Sequence, residues 1–130
     1  PGGHVDNNED PIQTAIRECK EEMGIDISIF SDSSYKFTDD NLKNIYPPET
    51  ILIENVNDNK TGPHQHIDFI YFGYPNYSKF DLNSEWIWVN KKDLINEVEF
   101  KNPYSKYFPP PNDVKILGIE ALLKLKNLNK

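Results

Sequence analysis

The chain carries an acidic segment whose carboxylates recur at spacings that bring side chains together on a helix. Glu18, Glu21 and Glu22 are three and four residues apart, and residues at those separations are neighbours on a helical surface. Like charges so placed weaken an isolated helix by roughly a few tenths of a kcal/mol per pair, so an opposing charge is expected. Mg²⁺ is such a charge, because it binds carboxylates together with waters and substrate phosphates. By this spacing alone a solvated acidic face is the favoured interpretation, and a Mg²⁺ site for phosphoryl chemistry is the alternative.

Capping signals at both ends of this segment predict the helix that positions the carboxylates. Asp10 is a favourable N-cap, Pro11 suits the first helical position, and Gln13 completes a capping box. Gly24 suits the C-terminal end. We therefore predict a helix over residues 11–23, entered from a polar loop. Its apolar stripe comprises Ile12, Ile16, Cys19 and Met23.

The segment from Gly3 to Ile25 reads GHVDNNEDPIQTAIRECKEEMGI. It matches every fixed position of the pattern Gly-x5-Glu-x7-Arg-Glu-U-x-Glu-Glu-x-Gly-U, where U is apolar, and it resembles the Nudix box. The resemblance implies an α/β fold, the Nudix α/β/α sandwich with a mixed sheet, over residues 1–130 as one domain. Strands that precede the box in the family are missing from the given sequence, either because the chain is a piece of a longer protein or because its numbering starts late. If nothing preceded the box, the sheet would have an edge open to pairing.

The resemblance also implies a division of labour within the site. The metal would be bound by Glu18, Glu21 and Glu22 together with a backbone carbonyl near Gly3, and Mg²⁺ is expected, with Mn²⁺ as the alternative. Arg17, one turn before Glu21, would orient the helix carboxylates, and Glu9 would tether the loop to the helix. A box glutamate or Glu85 would accept the proton from water. Asp81 is the alternative to Glu85, because the loop length leaves the register open.

Three residues are candidates for substrate binding. The FPPPN segment ending at Asn112 is similar to the C-terminal segment of MutT-like members, in which the asparagine reads a purine edge. Asn112 can offer both a donor and an acceptor to a base, and Phe108 could stack nearby. The alternative is that Asn112 is an ordinary N-cap for a helix predicted over residues 113–127. His4 would face phosphate, or else is an exposed loop histidine.

The activity implied by the resemblance is Mg²⁺-dependent hydrolysis of a nucleoside diphosphate linked to another group. A MutT-like nucleoside triphosphate pyrophosphohydrolase is favoured, while dinucleoside polyphosphates, ADP-ribose and nucleotide sugars stay open as substrates. Isomerase chemistry of the isopentenyl diphosphate type is disfavoured, because Cys19 lies on the apolar stripe. A non-catalytic Nudix-fold nucleotide-binding module is the alternative from another class, and the intact carboxylates disfavour it.

The remaining elements follow from alternation and turn residues. Strands are predicted over residues 25–30, 49–56, 64–74 and 85–90, with a long loop over 31–46 and a short helix over 91–97. On the third strand, His64, His66 and Asp68 share one face. Such a row could bind a transition metal or line the substrate cleft, and more often it is the polar end of a half-buried strand.

Composition limits the class of partner. The formal net charge is −7, which argues against broad electrostatic binding of nucleic acid or an anionic membrane surface. The single cysteine permits no internal disulfide and is consistent with a cytoplasmic location. The expected partner is a small nucleotide substrate. The oligomeric state is left open, with a homodimer as one option.

Overall fold

The computed structural model describes residues 1–31, 38–39, 41–77, 81–83, 85–101 and 107–128. The chain divides into two compact units, residues 1–81 and residues 82–130. In the part of the chain that the structure describes, no helix is long and apolar enough to cross a membrane.

The first unit begins with the predicted helix. Helix α1 spans Pro11–Glu18 and continues directly into a π-helical turn at Cys19–Met23. The Asp10 side chain accepts from the backbone N–H groups of Ile12 and Gln13, each at 3.0 Å. The Gln13 side chain in turn accepts from the Asp10 N–H, so the predicted capping box is confirmed. Gly24 ends the segment with φ 77°, a left-handed conformation that glycine adopts without steric cost.

A pair of short strands follows. Strand β1 (Ile27–Phe30) pairs antiparallel with β4 (Phe72–Pro75), and the rings of Phe30 and Phe72 lie 5.9 Å apart. Ile25, just before β1, is 2% exposed, and Phe72 is 6% exposed. The predicted strand over 25–30 is confirmed, and Ile25 and Phe72 belong to the small buried apolar core of the described residues.

The longest strands form a hairpin. Strand β2 spans Thr50–Asp58 and pairs antiparallel with β3, Gly62–Ile70. The Asp58 carboxylate accepts from the N–H groups of Lys60 and Thr61, each at 2.7 Å, which closes the turn. The strands predicted over 49–56 and 64–74 are confirmed, except that the second is interrupted at Tyr71 and resumes as β4.

The two faces of the hairpin differ in polarity, and on β3 the apolar side chains lie on the more exposed face. On one side, called the polar face, His64, His66 and Asp68 of β3 are half-buried. On the other side Ile67 is 63% exposed and Phe69 is 44% exposed. A half-buried row of polar groups needs partners, because an unsatisfied polar group is costly to remove from water.

The second unit contains two helices and a minimal strand pair. Helix α2 spans Lys91–Ile95 and helix α3 spans Asn112–Leu128, while β5 (Phe100–Lys101) pairs with β6 (Tyr107–Phe108). Leu94 is buried at 6% exposure. A Cβ added at Gly118 would lie 3.1 Å from the Leu94 side chain, so this glycine lets α3 approach α2 closely.

The strand predicted over residues 85–90 is wrong. The described residues here form no ladder. Trp86 donates its N–H to the carbonyl of Asn83 at 3.0 Å, which closes a turn. Asn90 is recruited as the N-cap of α2, where its side chain accepts from the Asp93 N–H at 3.0 Å. Turn and cap formation therefore override the alternation of EWIWVN.

The α/β class is confirmed, whereas the arrangement of the described strands differs from the predicted mixed sheet. These strands form three two-stranded pairs, and each pair is antiparallel. A parallel pair requires a crossover connection of a dozen or more residues. The tight turn after β2 instead returns the chain directly into an antiparallel partner.

Candidate active site

Arg17 is the centre of the candidate site. Its Nε and Nη2 donate to the two Glu9 oxygens at 2.8 and 3.1 Å, a bidentate pair. Its Nη1 donates to Glu18 Oε1 at 2.6 Å and to Glu21 Oε2 at 3.2 Å. Nη2 also reaches the His4 carbonyl at 3.1 Å. One planar guanidinium therefore links the loop before the helix to two helix carboxylates, a geometry that lysine cannot reproduce.

Glu9 is held in its ionised form by this environment. Hydrogen bonds from Arg17 and then from Thr14 lower the pKa of the Glu9 carboxyl to about 2. The Thr14 hydroxyl, on a residue only 4% exposed, donates to Glu9 Oε2 at 2.9 Å. The pKa of Arg17 is correspondingly raised, chiefly by Glu9 and then by Glu18. This ion pair anchors the loop to α1. Glu9 is thus in a position to act as the tether that the family resemblance implies.

Glu18 lies directly against the backbone of Gly3. A Cβ added at Gly3 would overlap the Glu18 carboxylate, whereas a Cβ added at Gly2 would meet nothing within 4 Å. Neither glycine has a positive φ, so what Gly3 provides is room for the carboxylate. The predicted metal-binding pair of Gly3 and Glu18 is thus brought together.

The π-helical turn carries the other two box glutamates. Glu21 and Glu22 are its third and fourth residues, with Glu21 exposed and Glu22 half-buried. Arg17 joins Glu18 to Glu21, and Glu22 follows on the same turn. π-helical turns within α-helices occur frequently at functional sites. Here the turn changes the direction in which the last two carboxylates leave the helix.

The donor set of the box fits a hard divalent cation. Oxygens of Glu18 and Glu21 lie within 3.2 Å of the same Arg17 nitrogen, so Arg17 holds the two carboxylates beside each other. The close approach of Gly3 leaves backbone beside Glu18 with no intervening side chain. Mg²⁺ binds one or two carboxylates plus waters and substrate phosphates, and these groups can supply that set.

His4 occupies a place between the box and the hairpin. Its carbonyl accepts from Arg17, while its ring packs edge-on against His66 with centroids 5.4 Å apart. The predicted contact of His4 with phosphate stays a prediction. Its ring nevertheless brings the polar face of the hairpin next to the box loop.

Of the other predicted site residues, Glu85, Phe108 and Asn112 belong to the second unit. Glu85 is exposed and begins no strand, Asp81 is the last residue of the first unit, and Phe108 is half exposed in β6.

Asn112 is the first residue of α3, and the carbonyl of Pro111, the residue before it, accepts from the Lys115 N–H at 2.9 Å. The N-cap is the residue whose carbonyl accepts the first bond of the helix, which here is Pro111. Asn112 is exposed and is not the N-cap, so the capping alternative is wrong. Base recognition by Asn112 stays a prediction.

Sequence reasoning missed Glu54. This residue lies directly opposite His66 in the hairpin register, and it joins His66 and Asp68 in a set of three potential metal ligands. Only residues 59–61 lie between the two strands, and this short turn sets the register, so the position of the turn in the sequence was the signal that could have revealed the pairing. Among the described residues, the ligand atoms of Glu54, His66 and Asp68 all lie within 4.8 Å of one another, and the box glutamates form no such set.

Comparisons with known proteins agree on one family. A family model described as the NUDIX domain matches residues 1–110. A curated relative from Lactococcus lactis subsp. cremoris (strain MG1363), named "Probable DHNTP pyrophosphohydrolase", is 44% identical over 71 residues. That match covers 55% of this chain and 36% of the relative, so it spans about a third of the relative's length. A crystal structure of a NUDIX-family hydrolase from Clostridium perfringens matches with TM-score 0.64 and 27% identity, covering 95% of this chain and 78% of that one.

Proposed function

This chain belongs to the NUDIX family of hydrolases, and from that premise we propose that it is an Mg²⁺-dependent nucleoside triphosphate pyrophosphohydrolase. The observation that carries the proposal is the convergence of Glu9, Glu18 and Glu21 on Arg17. The name of the Lactococcus relative supports cleavage that releases pyrophosphate. The single cysteine, Cys19, allows no internal disulfide, which is consistent with a reducing compartment such as the cytoplasm.

The chain's own residues would divide the work as follows. Glu18, Glu21 and Glu22, with backbone at Gly3, would hold the cation, and Arg17 would keep the first two carboxylates in place. When bound, Mg²⁺ neutralises phosphate charge and lowers the pKa of water. A box glutamate or Glu85 would accept the proton of the attacking water. The water oxygen bonds to phosphorus, the anhydride P–O bond breaks, and the products are a nucleoside monophosphate and pyrophosphate.

The direct test is hydrolysis of a nucleotide panel with Mg²⁺, measuring pyrophosphate and orthophosphate separately. The panel contains dNTPs, oxidised dGTP, DHNTP, dinucleoside polyphosphates and ADP-ribose. We expect pyrophosphate from a triphosphate, and a loss of roughly a hundredfold or more in Glu22→Gln, since even supporting groups around a metal cost about 10–100-fold. Glu120→Gln, an exposed charge removal on α3, is the matched control. Equal rates in the parent and Glu22→Gln, or orthophosphate as the product, would reject the proposal.

Substrate identity is tested by Asn112→Ala on the same panel. If Asn112 reads the base, the variant keeps its metal dependence but changes the order of preference among nucleotides. An unchanged order would remove Asn112 from the binding site and leave the hydrolase proposal intact.

A further inference from the structure

The polar face of the hairpin gathers three groups that can bind a metal ion. A ring nitrogen of His66 and one carboxylate oxygen from each of Glu54 and Asp68 all lie within 4.8 Å of one another. The strand register accounts for this arrangement, because Glu54 is directly opposite His66 and Asp68 is two residues beyond His66 on the same face. His66 and Asp68 are half-buried, and Glu54 is exposed.

His64 fixes the orientation of His66. The Nδ1 atom of His64 lies 2.9 Å from the Gly62 carbonyl, which can only accept, so the hydrogen bond assigns the proton to Nδ1. With the proton on Nδ1, the Nε2 atom of His64 can accept a hydrogen bond from Nε2 of His66, which lies 3.0 Å away. His66 donates across that contact and retains a lone pair on its other nitrogen. Metal-binding histidines almost always have such a partner for the second ring nitrogen.

We propose that Glu54, His66 and Asp68 form a transition-metal site, best suited to Zn²⁺, which is separate from the box glutamates. One imidazole and two carboxylates suit Zn²⁺, whose sites combine nitrogen and oxygen ligands. Mg²⁺ prefers oxygen ligands alone and is therefore disfavoured at His66. Three protein ligands leave a fourth tetrahedral position for water.

An ion at this site would stiffen the connection between the hairpin and the box loop. The His4 ring packs edge-on against His66, and the His4 carbonyl is bound by Arg17. Fixing His66 therefore restrains the loop that carries Gly3 and Glu9. The site goes beyond the proposed hydrolysis, which requires no ion at the hairpin.

The first test measures binding of Zn²⁺ by calorimetry, and of Co²⁺ by its visible absorption, to the full chain in excess Mg²⁺. We expect one tightly bound ion and the intense bands of four-coordinate Co²⁺. The variants His66→Ala and Asp68→Asn should weaken binding by roughly tenfold or more. Gln65→Ala is the matched control, because it lies on the same strand and the opposite face. Glu22→Gln should bind Zn²⁺ as the parent does.

The second test does not depend on any variant remaining folded. The chain has three histidines, and two of them, His4 and His64, flank His66. Nitrogen NMR of the parent should show the His66 ring moving to a metal-bound shift upon addition of Zn²⁺. An unmoved His66 ring would overturn the proposal. Parent-like Zn²⁺ affinity in both hairpin variants, or loss of Zn²⁺ binding only in Glu22→Gln, would overturn it as well.

Discussion

At the scale of single residues, the candidate site is governed by close approach and by charge. Gly3 makes room for the Glu18 carboxylate, and Arg17 holds Glu9, Glu18 and Glu21 through one guanidinium. Gly3 affects only the position of a carboxylate, whereas the Arg17 contacts also anchor the loop before α1. Substitutions at Gly3 and at Glu9 should therefore have distinguishable effects.

Gly3→Ala should lower kcat without unfolding the protein. The added methyl group displaces the flexible end of Glu18, and a misplacement of about 1 Å at a reacting centre can cost about a hundredfold in rate. We expect a roughly ten- to hundredfold loss of kcat, with the folded state retained in thermal unfolding. Gly2→Ala is the control, because its methyl group meets nothing within 4 Å. Equal effects of the two substitutions would show that Glu18 tolerates displacement.

Glu9→Gln should change how stability depends on pH. The pKa of Glu9 is about 2 in the folded chain, against an ordinary value of 4.5. A depressed pKa contributes stability that is complete above the ordinary value and is lost as pH falls towards about 2. The difference in unfolding free energy between parent and variant, from urea titrations, should therefore be largest at pH 7 and shrink below pH about 4.5. A difference that stays constant down to pH 3 would contradict this assignment.

At the scale of elements, the N-terminus of α1 is defined by its cap. Asp10 accepts from two backbone N–H groups and also pairs with Lys43 at 2.5 Å. These contributions can be separated, because asparagine is as good an N-cap as aspartate but carries no charge. The ion pair involves a Lys43 side chain that is 69% exposed, and exposed pairs contribute little.

Asp10→Ala should destabilise the protein by about 1 kcal/mol, the usual cost of losing an N-cap. Asp10→Asn should cost less, because it keeps the acceptor and loses an exposed ion pair. Thermal and urea unfolding of both variants measure the difference. If the asparagine variant were as unstable as the alanine variant, the ion pair with Lys43 rather than the cap would be the stabilising contact.

The elements also show what local sequence can and cannot predict. Asp10, Pro11, Gln13 and Gly24 set both ends of the helix correctly, because capping depends on neighbouring residues alone. The switch to π-helical hydrogen bonding at Cys19 was not predicted, because the capping residues mark only the ends of the segment. The strand assigned to 85–90 failed because alternation cannot reveal whether a partner strand exists.

At the scale of the whole molecule, the box was predictable and the long-range contacts were not. The spacing of the box residues is local, so the family and the Arg17–Glu21 ion pair followed from the sequence, whereas Arg17 as the partner of Glu9 was not predicted. The packing of His4 against His66 and the pairing of Glu54 with His66 join residues from separate elements. Such contacts depend on how elements pack and on strand register, which one sequence specifies only through its turns.

The net charge of −7 predicts an unusual salt response of nucleotide binding. Protein and triphosphate repel each other when no divalent cation bridges them, and added salt screens that repulsion. In EDTA, nucleotide affinity should be low and should rise with NaCl, whereas Mg²⁺ should increase it strongly. Calorimetric titrations at several NaCl concentrations check both statements. A steep fall of affinity with salt in EDTA would instead indicate that local cationic groups dominate binding.

The π-helical turn at Cys19–Met23 limits how the acidic motif can be transplanted. Each residue in such a turn advances the helix by a smaller angle than in an α-helix, so Glu21 and Glu22 depart in directions that regular winding would not reproduce. If the sequence of this segment were placed on an ideal α-helix, the Glu21 and Glu22 carboxylates would point in different directions. The wider winding is therefore part of what has to be grafted, along with the left-handed glycine that terminates it.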